Sequence, residues 1–189
     1  VKKTILFWSR TPVQKKSGTS VVIKNLFDKV DYEYFFVNEN YSEIKKIKNQ
    51  ILFNLPKSND KVFGRIFNVF RFLSIPAFLI YGIFITFKIK PNKIITVYND
   101  FFWILTSYFI SKIFNKKLIL YVHDLAYPKY KYWNKLQYVS YLIFEPIIFK
   151  DKNVNVITVT DQQAHIINRK YNCRASALPF FFEYKKKII

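Results

Sequence analysis

The run Leu118-Ile119-Leu120-Tyr121-Val122 carries no charge and leads directly into His123-Asp124. An apolar run of this length without alternation predicts a strand buried on both faces, the condition found inside a parallel sheet. Such a strand needs cover above and below it, which restricts the fold to a layered α/β arrangement. In open α/β sheets, ligands bind just beyond the carboxyl ends of the strands. A histidine and a carboxylate delivered together to that edge can face a cleft and handle a proton or a sugar hydroxyl. The same pair can equally do no more than cap the strand and begin a turn.

The rest of the chain alternates in the same manner. Thr4 to Trp8 reads as the first strand. Val1-Lys2-Lys3 ahead of it resembles the start of a signal peptide, but the apolar stretch breaks at Ser9-Arg10, short of the ~7–15 residues of a signal core. Ser9 to Ser17 is a loop, and Gly18-Thr19-Ser20 opens a helix with Val22, Ile23, Leu26, Phe27 and Val30 on one side. Tyr32 to Val37 is expected to be the second strand. Ser42 can cap a helix in which Ile44, Ile47 and Ile51 form a stripe. Further on, Ile94 to Val97 reads as a strand and Asn99 as the cap of a helix from Phe101 to Phe114. A helix is expected from Trp133 to Lys150, bent at Pro146, followed by a strand from Val154 to Val159. Thr160-Asp161-Gln162-Gln163 is a capping box with Thr160 at the N-cap. It starts a helix with Ala164, Ile167 and Tyr171 inward, and Ala175 to Leu178 is a last strand. This alternation predicts a single α/β domain, a Rossmann-like parallel sheet with helices on both faces.

Composition sets the partners and the compartment. The 189 residues are 51% hydrophobic, enough for one sizeable core. The net charge of +19 predicts attraction to an anionic partner. Most of the cations are lysine, however; arginine, the better fork for phosphate, occurs only at Arg10, Arg65, Arg71, Arg169 and Arg174. Nucleic acid is therefore not expected as a partner, whereas an anionic membrane surface is. Cys173 is the only cysteine, which excludes an intrachain disulfide and a cysteine-based metal site and suits a reducing cytoplasm. With only His123 and His165, no metal and no cofactor are expected. Phe72 to Phe87 holds no charged residue, lies between Arg71 and Lys88, and is interrupted by Pro76. Three placements stay open for it: a core helix under the sheet, a helix in the membrane interface with Arg65, Arg71, Lys88 and Lys90 on lipid phosphates, or a true span.

Three elements could carry chemistry. A loop that ends in Gly18 and opens a helix can present backbone N–H groups to a phosphate, with Lys15 and Lys16 adding charge. It matches neither GxGxxG nor GxxxxGK[ST], so dinucleotide or ATP binding is not supported. His123 could act as a base or bond a substrate hydroxyl, and Asp124 could fix its tautomer. Asp161 follows the next strand and would approach the same edge, although a carboxylate in the first turn of a helix already complements the dipole.

The order of features resembles the N-terminal domain of family 4 glycosyltransferases, the GT-B-type enzymes that build bacterial capsules, lipopolysaccharide and glycolipids. The likeness rests on Ser17-Gly18-Thr19, Lys90-Pro91-Asn92-Lys93-Ile94-Ile95, Lys117 to Asp124, and Val156-Ile157-Thr158-Val159-Thr160. It implies that Gly18 and Thr19 lie near the donor phosphates and that His123 faces the acceptor. It also implies a glycan or lipid-linked acceptor, and a place in the cytoplasm, peripheral at the inner face of the cell membrane. Two features depart from the family: Ser17 stands where a second glycine is usual, and Phe180-Phe181 replace the Asn-Gly of an LPNG-like turn. The family's second, nucleotide-sugar-binding domain has no counterpart in residues 1–189. The expectation is thus the acceptor-binding half of an enzyme, inactive alone and engaging a nucleotide sugar only with a second domain or subunit. The alternative is a non-catalytic, membrane-surface scaffold module of the same fold.

Overall fold

The computed structural model describes residues 3–10, 32–39, 48–53, 73–98, 100–122 and 135–178, with backbone alone at 135–137. Its strands are β1 (Thr4–Trp8), β2 (Glu33–Glu39), β3 (Gln50–Phe53), β4 (Lys93–Val97), β5 (Lys117–Val122), β6 (Val154–Thr158) and β7 (Ala175–Ala177). They form one sheet in the order β3-β2-β1-β4-β5-β6-β7, and every pairing is parallel. The Rossmann-like α/β arrangement expected from the sequence is the observed one.

The described helices are α1 (Ile75–Ile89), α2 (Phe101–Ile113), α3 (Lys135–Lys150) and α4 (Asp161–Tyr171). All four follow connections that run toward the β7 side of the sheet. Right-handed crossovers in one direction place their helices on one face. A single core accordingly joins Leu6, Trp8, Ile94, Leu118 and Val156 of the sheet to Phe78, Trp103, Tyr141 and Ile167 of the helices. Trp8 is its centre. Its ring lies 4.8 Å from Phe78 and 5.7 Å from Trp103, and its Nε1 donates to Thr106 Oγ1 at 3.0 Å. On the opposite face Phe7, Phe36, Val97 and Tyr121 are also buried. The residues joining β1 to β2 and β2 to β3 lie outside the described ones.

The order of layers follows from composition. α2 is apolar around almost its whole circumference and is buried from Phe101 to Tyr108, as such a helix must be. It lies between α1 and α3. Gly82 lets α1 approach it closely: a Cβ there would fall inside van der Waals contact of Ile110 Cδ1 and 2.9 Å from Trp8 Cη2. Pro76 does not interrupt α1; it sits in the first turn, where its missing N–H costs no helical hydrogen bond. Of the placements open for this stretch, the core helix holds for one side only, since Phe78 and Ile85 join the main core. α1 buries Phe78, Gly82, Ile85 and Thr86 and exposes its other side. No described helix is long and apolar enough to cross a membrane.

Four expectations need correction. Ile51 is not helical; it belongs to β3 and pairs with Val37. The second strand starts at Glu33 and runs on to Glu39. The α2 cap is Asp100, not Asn99: its Oδ1 accepts from Phe102 N–H at 3.0 Å. At Thr160 the cap bond to Gln163 N–H forms at 3.2 Å, but Gln163 Oε1 turns back to Val159 N–H rather than to Thr160. Pro146 lies inside α3 as foreseen, and Ala164, Ile167 and Tyr171 face inward.

The described left-handed backbone positions are Asn49, Lys90, Asn115 and Asn172, with φ between 49 and 59°. Lys90 and Asn172 are the C-caps of α1 and α4. Glycine is the usual residue at such sites; this chain holds three glycines in all.

Candidate functional site

The sheet order reverses direction between β1 and β4: β2 and β3 lie to one side, β5 to β7 to the other. At such a switch point the connections leave in opposite directions and open a crevice above the carboxyl ends of the strands. The residues there are the ones that follow each strand: Ser9 and Arg10 after β1, Glu39 closing β2, Tyr98 and Asp100 after β4.

Arg10 ties these together. Its Nε donates to Glu39 Oε2 at 2.8 Å and its Nη1 to Asp100 Oδ2 at 3.3 Å. Both carboxylates are buried, while the Arg10 side chain remains 39% exposed. Asp100 is fixed from two sides, since its other oxygen caps α2. Underneath, Gln50 Nε2 donates to Asn38 Oδ1 and Asn38 Nδ2 to the Ser9 carbonyl, each at 3.0 Å. This row of buried amides joins the start of β3 to the carboxyl-end residues of β2 and β1. Arg10 is thus a cation held in place by two carboxylates, with its accessible part at the switch point. Chemically it can donate to a phosphate, a carboxylate or a sugar hydroxyl.

A second polar cluster lies beneath the helices. Glu145, buried in α3, accepts from Tyr98 Oη with one oxygen and from Tyr171 Oη with the other, and Lys170 Nζ approaches to 3.7 Å. Burial, then the Glu145 charge, pushes the Tyr98 phenol well above its ordinary range, so it stays a donor. The cluster joins the end of β4, α3 and α4. It pins the helical layer.

Of the residues singled out in the sequence, Gly18, Thr19, His123 and Asp124 lie outside the described residues. Val122, the last residue of β5, is buried and pairs with Thr158, so β5 ends at the same edge as its neighbours. Asp161 is the exposed first residue of α4, next to the Thr160 cap. His165, one turn on, is exposed as well. Sequence reasoning passed over Arg10, Glu39 and Asp100, although the signal was present. Each closes or closely follows an apolar strand, as His123 does.

No protein-family model and no curated protein matches the sequence. Among solved structures, the chain is similar to a sucrose-phosphate synthase from Thermosynechococcus elongatus. The TM-score is 0.65 at 14% identity, over 95% of this chain and 48% of that one. The shared property is the fold. At that coverage, the chain spans about half the length of the synthase.

Proposed function

We propose that this chain is the acceptor-binding half of a glycosyltransferase, acting with a donor-binding second half on a glycan or lipid-linked acceptor. The observation that carries the reading is the Arg10–Glu39–Asp100 cluster at the β1/β4 switch point, in a fold shared with an enzyme named for making sucrose phosphate. The family 4 assignment, the N-terminal position within such an enzyme and the nucleotide-sugar donor belong to this proposal. Arg10 supplies an oriented donor for a substrate oxygen. His123 takes or shares the proton of the attacking hydroxyl, and Asp124 holds its tautomer. Gly18 and Thr19 approach the donor phosphates, and Asp161 borders the same edge.

The test is a titration of the chain with oligosaccharide and lipid-linked acceptors, followed by turnover of nucleotide sugars with and without a second half. The expected outcome is saturable acceptor binding by the chain alone and transfer only when the second half is supplied. His123→Ala should reduce transfer by about 100-fold or more, the range for loss of a general base, with an unchanged circular-dichroism spectrum. Absence of acceptor binding, with the chain folded, would leave the scaffold alternative in possession of the fold.

A further inference from the structure

The outer side of the helical layer is apolar where a solvated surface should be polar. On α1, Ile80, Phe84 and Phe87 are 64–68% exposed, with Leu73 just ahead of the helix at 69%, and the spacing of the three places them along one side of the helix. On α3, Val139, Leu142, Ile143 and Ile147 are 44–54% exposed. α2 is enclosed between these two helices, so the exposed rows form two ridges on one layer. Single exposed apolar side chains need no explanation, but rows of large ones on neighbouring helices mark an interaction surface.

The charges around the ridges indicate what that surface meets. α1 ends in exposed Lys88 and Lys90, and α3 in exposed Lys150 with Lys152 beyond it, whereas Lys112 at the end of α2 is already paired with Asp151. α1 carries no acidic residue, and the single carboxylate of α3, Glu145, is buried. Two copies meeting through this face in parallel would bring lysines together without carboxylates to answer them. An anionic bilayer answers both features at once, taking the apolar rows into its acyl boundary and the lysines onto its phosphates. We propose that the α1–α3 face lies flat on an anionic membrane. The helices remain in the plane of the interface, α1 being 15 residues long against the ~20 a span requires. The face is separate from the carboxyl-edge crevice, so the proposal does not rest on the transferase reading.

Co-sedimentation of the full chain with vesicles of phosphatidylcholine, with and without phosphatidylglycerol, tests it. The wild-type chain should partition onto the phosphatidylglycerol vesicles and bind the neutral ones far more weakly. The triple variant I80S/F84S/F87S changes only exposed positions. With its circular-dichroism spectrum retained, it should bind the anionic vesicles on the order of 100-fold more weakly, the loss expected from three apolar insertions. Replacing Lys88, Lys90, Lys150 and Lys152 by Gln should lower binding to anionic vesicles and leave neutral ones unaffected. The proposal is overturned if the serine variant binds like wild type. It is also overturned if the wild-type chain ignores both vesicles and sediments as a dimer that the serine variant dissolves.

Discussion

Arg10 shows how a single side chain can be structural and functional in one geometry. Its guanidinium compensates two carboxylates that are themselves buried, and burying an unpaired charge is among the costlier faults a fold can carry. Arg10→Met should therefore destabilise the chain by about 2 kcal/mol in urea unfolding, less than the ~3–5 of a fully buried pair because part of the guanidinium is in water. Arg10→Lys keeps the charge but cannot reach both partners with one planar fork, and acceptor affinity should fall more than stability does. At this scale the sequence was only partly legible. The strand-end logic that selects His123 also selects Arg10, Glu39 and Asp100, but their pairing needs the register of three strands. No local pattern encodes it.

At the scale of elements, the contact between α1 and α2 turns on the absence of one methyl group. Gly82→Ala gains up to ~1 kcal/mol of helix propensity but drives a Cβ into Ile110 and the edge of Trp8. Overpacking of that kind costs ~1–3 kcal/mol. A net loss of about 1–2 kcal/mol is expected, read as a lower urea midpoint with an unchanged slope. The strands that were easiest to foresee, β1, β4, β5 and β6, are apolar runs bounded by polar residues, and their bounds moved by a residue at most. β3 was missed because Ile44, Ile47 and Ile51 also fit a helical stripe, and a four-residue strand has too little period of its own to contest that reading. The α2 cap slipped from Asn99 to Asp100 because both residue types cap well. The choice falls to the one whose second oxygen Arg10 engages. The outward side of α1 was legible only as an uncharged run. Burial of its inner side by Trp8 and α2 is a tertiary fact.

At the scale of the molecule, a net charge of +19 makes each well-placed carboxylate count. Asp151 takes hydrogen bonds from Tyr108 Oη at 2.9 Å, Lys112 Nζ at 2.8 Å and Asn153 N–H at 2.9 Å, which tie the end of α3 to α2. Burial acts to raise its carboxyl, but these partners outweigh it and hold the group below its ordinary value. Burial, with the hydrogen bond to Asp151, lifts Tyr108 to about 12. The signs give opposite limits. Stability from Asp151 is complete above the unfolded carboxylate range near pH ~4 and is lost as pH falls below it. Stability from Tyr108 is complete below its unfolded value near pH ~10 and is lost as pH rises through about 12. D151N should flatten the acid limb of a stability–pH curve, and Tyr108→Phe the alkaline one. The left-handed caps carry a last consequence. Where the backbone already tolerates lysine and asparagine in a conformation made for glycine, the chain holds an unused margin of robustness. Changing Lys90 and Asn172 together to glycine should release it, raising the melting temperature by several degrees for roughly 1–2 kcal/mol.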